Sequence, residues 1–115
     1  MCSIFGIISN PVNRNKIYQM INIQKHRAPD SSGVFNDENI AIGMGRLKII
    51  DLKSKNLNPI LGNRYVLAYN GEIYNYKELK SELLSLGKKF STTSDSEVLL
   101  KCWEQWGTNL FSKLN

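Results

Sequence analysis

Residues 1–9 read Met-Cys-Ser-Ile-Phe-Gly-Ile-Ile-Ser and run straight into Asn10-Pro11. A short, nearly continuous apolar run that stops at an Asn-Pro pair suits a buried strand better than a helix, which needs a longer run and cannot continue through proline. The chain therefore begins inside a sheet. The cysteine at position two adds chemistry to that strand. Removal of the initiator methionine, normal before a small residue, leaves Cys2 with a free α-amine beside its thiol. Such an amine, with an ordinary pKa of about 8, can relay the thiol proton, as the N-terminal amine serves threonine nucleophiles. No histidine base is then required, and His26 is the only histidine in the chain. Taken alone, a cysteine at a strand start reads first as a small hydrophobe.

Moving outward, Ile17, Met20, Ile21 and Gln24 recur at helical spacing and predict an amphipathic helix over 15–24. Residues 26–33, His-Arg-Ala-Pro-Asp-Ser-Ser-Gly, are rich in turn formers and predict a loop. Residues 40–47 alternate apolar side chains with glycine and residues 64–69 are β-rich, so both are expected as strands that pair through the intervening loop. Gly43 and Gly45 mark close backbone approach. After Asn70-Gly71 the period changes from two to three and four. Tyr76, Leu79, Leu83 and Leu86 line one face of a helix that Gly87 can close in the left-handed conformation. Ser94-Asp95-Ser96-Glu97 has the spacing of a capping box, opening a helix with Val98, Leu99, Cys102, Trp103 and Trp106 that Gly107 ends. Residues 109–114 predict one more short helix. Strands come first and helices later, and the strands are too few to cover this much helix. The pattern implies an α+β layered sandwich whose remaining strands lie beyond residue 115.

The bulk numbers narrow the function classes. At 115 residues the chain suits one domain, or part of one. A hydrophobic share of 42% with a charged share of 22% is ordinary globular composition, which argues against disorder. The net charge of +5 comes from lysines scattered between Lys16 and Lys113, without the clustered footprint of a nucleic-acid binder. The run from Ile4 to Ile8 is broken by Gly6 and has no basic flank, so neither a signal peptide nor a membrane span is expected, and a cytoplasmic location is. Cys2 and Cys102 are too far apart for a metal-ligand pair or a disulfide framework. Cys102 shares an apolar helix face with Leu99 and Trp106 and reads as a core residue.

Cleavage of a carboxamide by a thiol also needs donors for the developing oxyanion. Asn70-Gly71, after a predicted strand, offers a side-chain amide and a backbone N–H, although the same pair is a common hairpin turn. An amino-acid amide would further require one fixed cation for its α-carboxylate and one or two carboxylates for its α-ammonium. Arg46, Glu72 and Asp95 are candidates, and the planar guanidinium suits the carboxylate because it binds bidentately. Each of the three, taken singly, also reads as a surface charge.

Five segments change this balance. Met-Cys-Ser-Ile-Phe-Gly-Ile-Ile at 1–8, His-Arg-Ala-Pro-Asp-Ser-Ser-Gly at 26–33, Arg-Leu-Lys-Ile-Ile-Asp-Leu at 46–52, Tyr-Asn-Gly-Glu-Ile-Tyr-Asn-Tyr at 69–76 and Thr-Ser-Asp-Ser-Glu-Val-Leu-Leu at 93–100 resemble, in order, the motifs of class II glutamine amidotransferases. The third and fourth are similar to the asparagine synthetase branch in particular. The resemblance implies an N-terminal nucleophile fold, an α/β/β/α sandwich of stacked antiparallel sheets. Residues 1–115 would supply the N-terminal portion of that amidotransferase domain, incomplete at its C-terminus. It implies that Cys2 attacks the glutamine amide, releases ammonia and leaves a glutamyl thioester for water. By motif position, Asn70 and Gly71 would form the oxyanion hole, Arg46 would hold the substrate carboxylate, the Ile49 and Ile50 backbone would line the pocket, and Glu72 and Asp95 would receive the ammonium. The ammonia would pass to a second domain in cis that adenylates aspartate. ATP and magnesium would belong to that domain, with no cofactor and no metal in this portion. A homodimer is left open.

Three other readings stand beside this one: a related amidotransferase with another nitrogen acceptor, such as a sugar in surface-polysaccharide assembly, a non-catalytic remnant that retains the motifs, and a small basic nucleic-acid binder. The chain also departs from the family pattern. Ser3 and Ala28 stand where the family carries glycine, Met44-Gly45 where it commonly has His or Thr followed by a polar or basic residue, and Asn58 where it commonly has Gln.

Overall fold

The computed structural model describes residues 2–47 and 59–115 and divides into two compact units, Met1–Asn70 and Gly71–Asn115. In the first, β1 (Ser3–Ile8), β2 (Ser31–Asn36) and β3 (Ile40–Arg46) form an antiparallel sheet in the order β1-β3-β2, and α1 (Arg14–Ile23) lies between β1 and β2 in the chain. A second, two-stranded ladder joins β4 (Ile60–Leu61) to β5 (Val66–Leu67). The second unit contains α2 (Tyr76–Ser85), α3 (Asp95–Trp106) and a 3₁₀ turn over Gly107–Ser112. The α+β class with antiparallel sheets agrees with the sequence.

Two expectations are corrected. Residues 40–47 do not pair with 64–69. Both edges of β3 are occupied, one by β1 in the register Ser3↔Gly45 and the other by β2 in the register Ser31↔Arg46. The β-rich segment pairs instead with Ile60–Leu61, close by in sequence. The loop read over 26–33 ends early, because Ser31, Ser32 and Gly33 already belong to β2. Turn-forming residues are tolerated there because β2 lies at the edge of the sheet and leads into a tight hairpin, in which the Asp37 N–H donates to the Ile40 carbonyl at 2.8 Å.

Side chains alternate across the sheet, so Phe5, Ala41, Gly43 and Gly45 share one face, and α1 packs against the sheet. Ile17 of α1 and Ala41 of β3 are both fully buried. A Cβ on Gly43 would lie 2.9 Å from the Phe5 ring and 3.2 Å from Ile17, so the absence of a side chain is what lets helix and sheet approach. Asn13 caps α1, its side chain accepting from the Asn15 N–H at 3.1 Å. On the other face of β1, Ile4 is 50% and Ile8 84% exposed.

In the second unit, Leu79 and Leu83 of α2 are buried, as are Val98, Leu100 and Cys102 of α3, and the two helices pack together. Complete burial of side chains of this size contributes about 1.5–3 kcal/mol each. Leu86, expected on the same stripe, is half exposed. Gly87 has φ +81° and its N–H donates to the Leu84 carbonyl at 2.9 Å, closing α2 as the sequence predicts. The short final helix is realised as the 3₁₀ turn, beginning two residues earlier than read.

Three of the departures from the family pattern converge. A Cβ built on Gly45 would fall 2.7 Å from the Ser3 hydroxyl and 2.8 Å from the Ala28 methyl, so the room that Gly45 leaves is taken by the two residues that replace glycines. Ser3 is 4% exposed and its Oγ has no hydrogen-bond partner among the described residues. Gly45→Ala is expected to destabilise the chain by about 1–3 kcal/mol through overpacking, and Ala28→Gly combined with Ser3→Gly should recover most of that loss. Thermal melts of the four-membered mutant cycle measure the coupling, and strictly additive melts would mean that the three residues do not share this space.

Candidate active site

The first unit brings Cys2 to the end of β3. The β1–β3 ladder ends at Ser3↔Gly45, so Cys2 and Arg46 are the residues next to its last pair on either chain segment. The Cys2 thiol lies 3.9 Å from the Leu47 carbonyl oxygen, within reach of a weak S–H···O bond, and the residue is half-buried. Arg46 is half-buried at the other strand terminus, where its carbonyl accepts the Asp30 N–H at 3.2 Å. The loop that carries Asp30 is thus tied to the same corner. Cys2 and Arg46, predicted from different segments, are neighbours because an antiparallel pairing places the start of one strand beside the end of the other. Asn70 is exposed and lies three residues past the end of β5. Ile49 and Ile50, expected to line the pocket, lie outside the described residues, as does Asn58.

The second unit opens with Gly71 and Glu72, both exposed, followed by Ile73, which is 4% exposed. Asp95, the first residue of α3, is 7% exposed. Its Oδ2 accepts the Ile73 N–H at 3.3 Å and its Oδ1 accepts the Ser96 hydroxyl at 3.3 Å. Asp95 is therefore a buried, hydrogen-bonded carboxylate rather than a surface charge, and it meets the chain directly after Glu72.

The capping box is only half formed. Ser94 Oγ accepts the Glu97 N–H at 3.2 Å, as the spacing predicts, but the Glu97 carboxylate does not return to the Ser94 N–H. It turns instead into the preceding loop. There Oε1 accepts from the Ser91 N–H at 2.9 Å and the Ser91 hydroxyl at 3.0 Å, and Oε2 from the Thr92 N–H at 2.7 Å and the Thr92 hydroxyl at 2.6 Å. The Ser94 N–H is satisfied by Thr92 Oγ1 at 3.2 Å. Lys80 of α2 secures the loop from outside, its ammonium donating to the Thr92 carbonyl at 2.8 Å and lying 4.8 Å from the Phe90 ring centroid. The sequence reading missed this cage. The available signal was the hydroxyl-rich run Ser91-Thr92-Thr93-Ser94 just before an acidic residue, which the capping-box spacing explained away.

Cys102 is fully buried. Burial pushes its thiol up to about 11, Glu82 adds to the rise and Lys113 opposes it, so at neutral pH it stays protonated and poorly nucleophilic. Among the described residues, no three His, Cys, Asp or Glu side chains group as metal ligands, and no helix is long and apolar enough to cross a membrane.

An antiparallel α+β build, with a cysteine leading its first strand, places the chain in a known class. It belongs to the glutamine amidotransferase domain family, whose sequence pattern matches residues 1–115. Its similarity reaches particular members: it is 38% identical, over 99% of its length, to asparagine synthetase [glutamine-hydrolyzing] 1 of Bacillus subtilis (strain 168). It is 35% identical over 100% of its length to putative asparagine synthetase [glutamine-hydrolyzing] 2 of Methanocaldococcus jannaschii, and 33% identical over 99% to asparagine synthetase B [glutamine-hydrolyzing] of Escherichia coli (strain K12). The chain spans 19%, 26% and 21% of these relatives, respectively.

The Glu97 cage gives a direct test of the second unit. Burial raises the Glu97 carboxyl, but the Thr92 and Ser91 hydrogen bonds together outweigh it and hold the group below its ordinary 4.5. A carboxyl depressed in the folded state contributes its full stability above the unfolded value and loses it as pH falls through the folded value. Glu97→Gln should therefore lower stability at pH 7 by about 1–3 kcal/mol. The gap from the unsubstituted chain should narrow as pH falls from the ordinary carboxyl value through the lower value of the folded state, when melts are followed by circular dichroism across pH.

Proposed function

We propose that this chain is the glutamine-hydrolysing portion of an asparagine synthetase, and that Cys2 is its nucleophile. The observation that carries the reading is the match of residues 1–115 to the glutamine amidotransferase family, supported by the Cys2 thiol lying 3.9 Å from the carbonyl of Leu47, the residue after Arg46. With Met1 removed, the Cys2 α-amine takes the thiol proton and Sγ attacks the side-chain carbonyl carbon of glutamine. The C–S bond forms, and the carbonyl electrons move to oxygen. The Asn70 amide and the Gly71 N–H stabilise that oxyanion. Its collapse breaks the C–N bond, and the α-ammonium returns the proton so that ammonia leaves. Water then cleaves the thioester, yielding glutamate and the free thiol.

Arg46 receives the α-carboxylate of glutamine in this reading, Glu72 and Asp95 its α-ammonium, and the Ile49 and Ile50 backbone completes the pocket. The sheet of the first unit would be one layer of an α/β/β/α sandwich, and the exposure of Ile4 and Ile8 supports a second layer on that face. The acceptor of the ammonia is aspartate, activated with ATP and magnesium in a further domain in cis. The names and the greater length of the relatives support that assignment. The reaction belongs in the cytoplasm, where thiols stay reduced.

A glutamine-analogue diazoketone should alkylate Cys2 and spare Cys102, as read by peptide mass mapping, and excess glutamine should protect. Cys2→Ala should abolish both labelling and glutamine hydrolysis. Asn70→Ala should lower kcat by about 10²–10³. Labelling confined to Cys102, or hydrolysis that survives Cys2→Ala, refutes the proposal.

A further inference from the structure

The hydrogen bond between Asp95 and Ile73 joins two parts of the proposed site that the sequence keeps 22 residues apart. Gly71 and Glu72 are exposed. Ile73, immediately after them, is fixed three ways. Its side chain is buried, its carbonyl accepts the Tyr76 N–H at 3.3 Å at the start of α2, and its N–H donates to Asp95 Oδ2. On the other side of that bond, Asp95 begins α3, and the start of α3 is set by the Ser94 cap and by Glu97 in its loop cage. The carboxylate is therefore a fixed point, and the Ile73 N–H is hung from it.

We infer that Asp95 has a second task beyond receiving the substrate ammonium: it is a positioning residue that holds the Gly71-Glu72 segment in place through the Ile73 N–H. This rests on the glutaminase reading above. An oxyanion donor works only within about 2.7–3.1 Å of the developing charge, and a misplacement of about 1 Å can cost about 10²-fold in rate. Gly71, two residues before Ile73, has no side chain with which to anchor itself, so its N–H inherits the position of the next fixed point along the chain. Ile73 and Ser96 use two of the about four lone-pair sites of the carboxylate, which leaves acceptor capacity for an ammonium. One side chain thus links recognition of the amino end of glutamine with placement of the donor at the reacting carbonyl.

The two tasks separate by substitution. Asp95→Asn loses the charge but keeps an oxygen that can accept from Ile73. Asp95→Ala and Asp95→Ser lose both, the serine hydroxyl being too short to reach. Steady-state glutamine hydrolysis by the full chain should show KM raised about tenfold or more in all three variants, from loss of the charge-assisted bond to the ammonium. kcat should stay within about threefold for Asp95→Asn but fall about 10²-fold for Asp95→Ala and Asp95→Ser. Amide hydrogen exchange read by NMR adds a measure that needs no activity: the Ile73 N–H should stay protected in Asp95→Asn and lose protection in Asp95→Ala and Asp95→Ser. Equal kcat in Asp95→Asn and the two shorter variants overturns the positioning role. So does unchanged protection of Ile73 in those variants, whatever the activity. Absence of Cys2-dependent hydrolysis in the unsubstituted chain overturns the glutaminase reading itself, and the exchange data still decide whether Asp95 holds the segment.

Discussion

The first unit depends on how closely α1 and its neighbouring loop approach the central strand. β3 carries glycine at 43 and 45 on the face that meets α1, and both positions are so tightly covered that a methyl group would collide. That approach seats Ile17 in the core and brings the Ala28 loop onto the end of the sheet. With β3 flanked on both sides, the register leaves Cys2 at the start of one strand and Arg46 at the end of its neighbour. That the two residues end up at the same corner of the sheet is a consequence of strand geometry.

The second unit solves a different problem, holding a polar loop still without an apolar interior of its own. Glu97 does so by drawing two backbone and two hydroxyl donors around one carboxylate, and Lys80 fastens the outside of the loop to α2. Charge-assisted bonds in a buried setting are worth more than their surface counterparts. By contrast, the exposed Lys113–Glu82 pair, at 2.9 Å, adds little. The same unit is closed at its other end by Asn75, whose amide donates to the Lys113 carbonyl and accepts the Asn115 N–H.

Much of this was legible in the sequence because it rests on local chemistry. The apolar run after Cys2, the stripe of Leu79 and Leu83, the left-handed Gly87 and the Ser94 cap each depend on residues within one turn or strand, and each appears where the residues place it. The errors lie where partners are distant. Nothing in residues 40–47 states which strands flank them, and proximity in sequence favoured the wrong one. β2 was hidden because Ser31, Ser32 and Gly33 look like a turn when read alone. For the candidate site, the ordered motifs named the residues, and the strand register brings the start of β1, just after Cys2, beside the end of β3 that carries Arg46. Asp95 was named from its motif, but its bond to Ile73 spans 22 residues and leaves no periodic trace. Glu97 was given a familiar spacing and a single role, while its carboxylate serves the loop that precedes it.

The burial of Cys102 has a consequence for how such a domain ages. Susceptibility to oxidation follows exposure and thiolate character, and Cys102 offers neither. Of the two thiols, peroxide therefore meets only the one at Cys2. Progression to sulfenic and then sulfinic acid there leaves the helical core intact, so an oxidised sample melts like a fresh one although the nucleophile proposed above is lost.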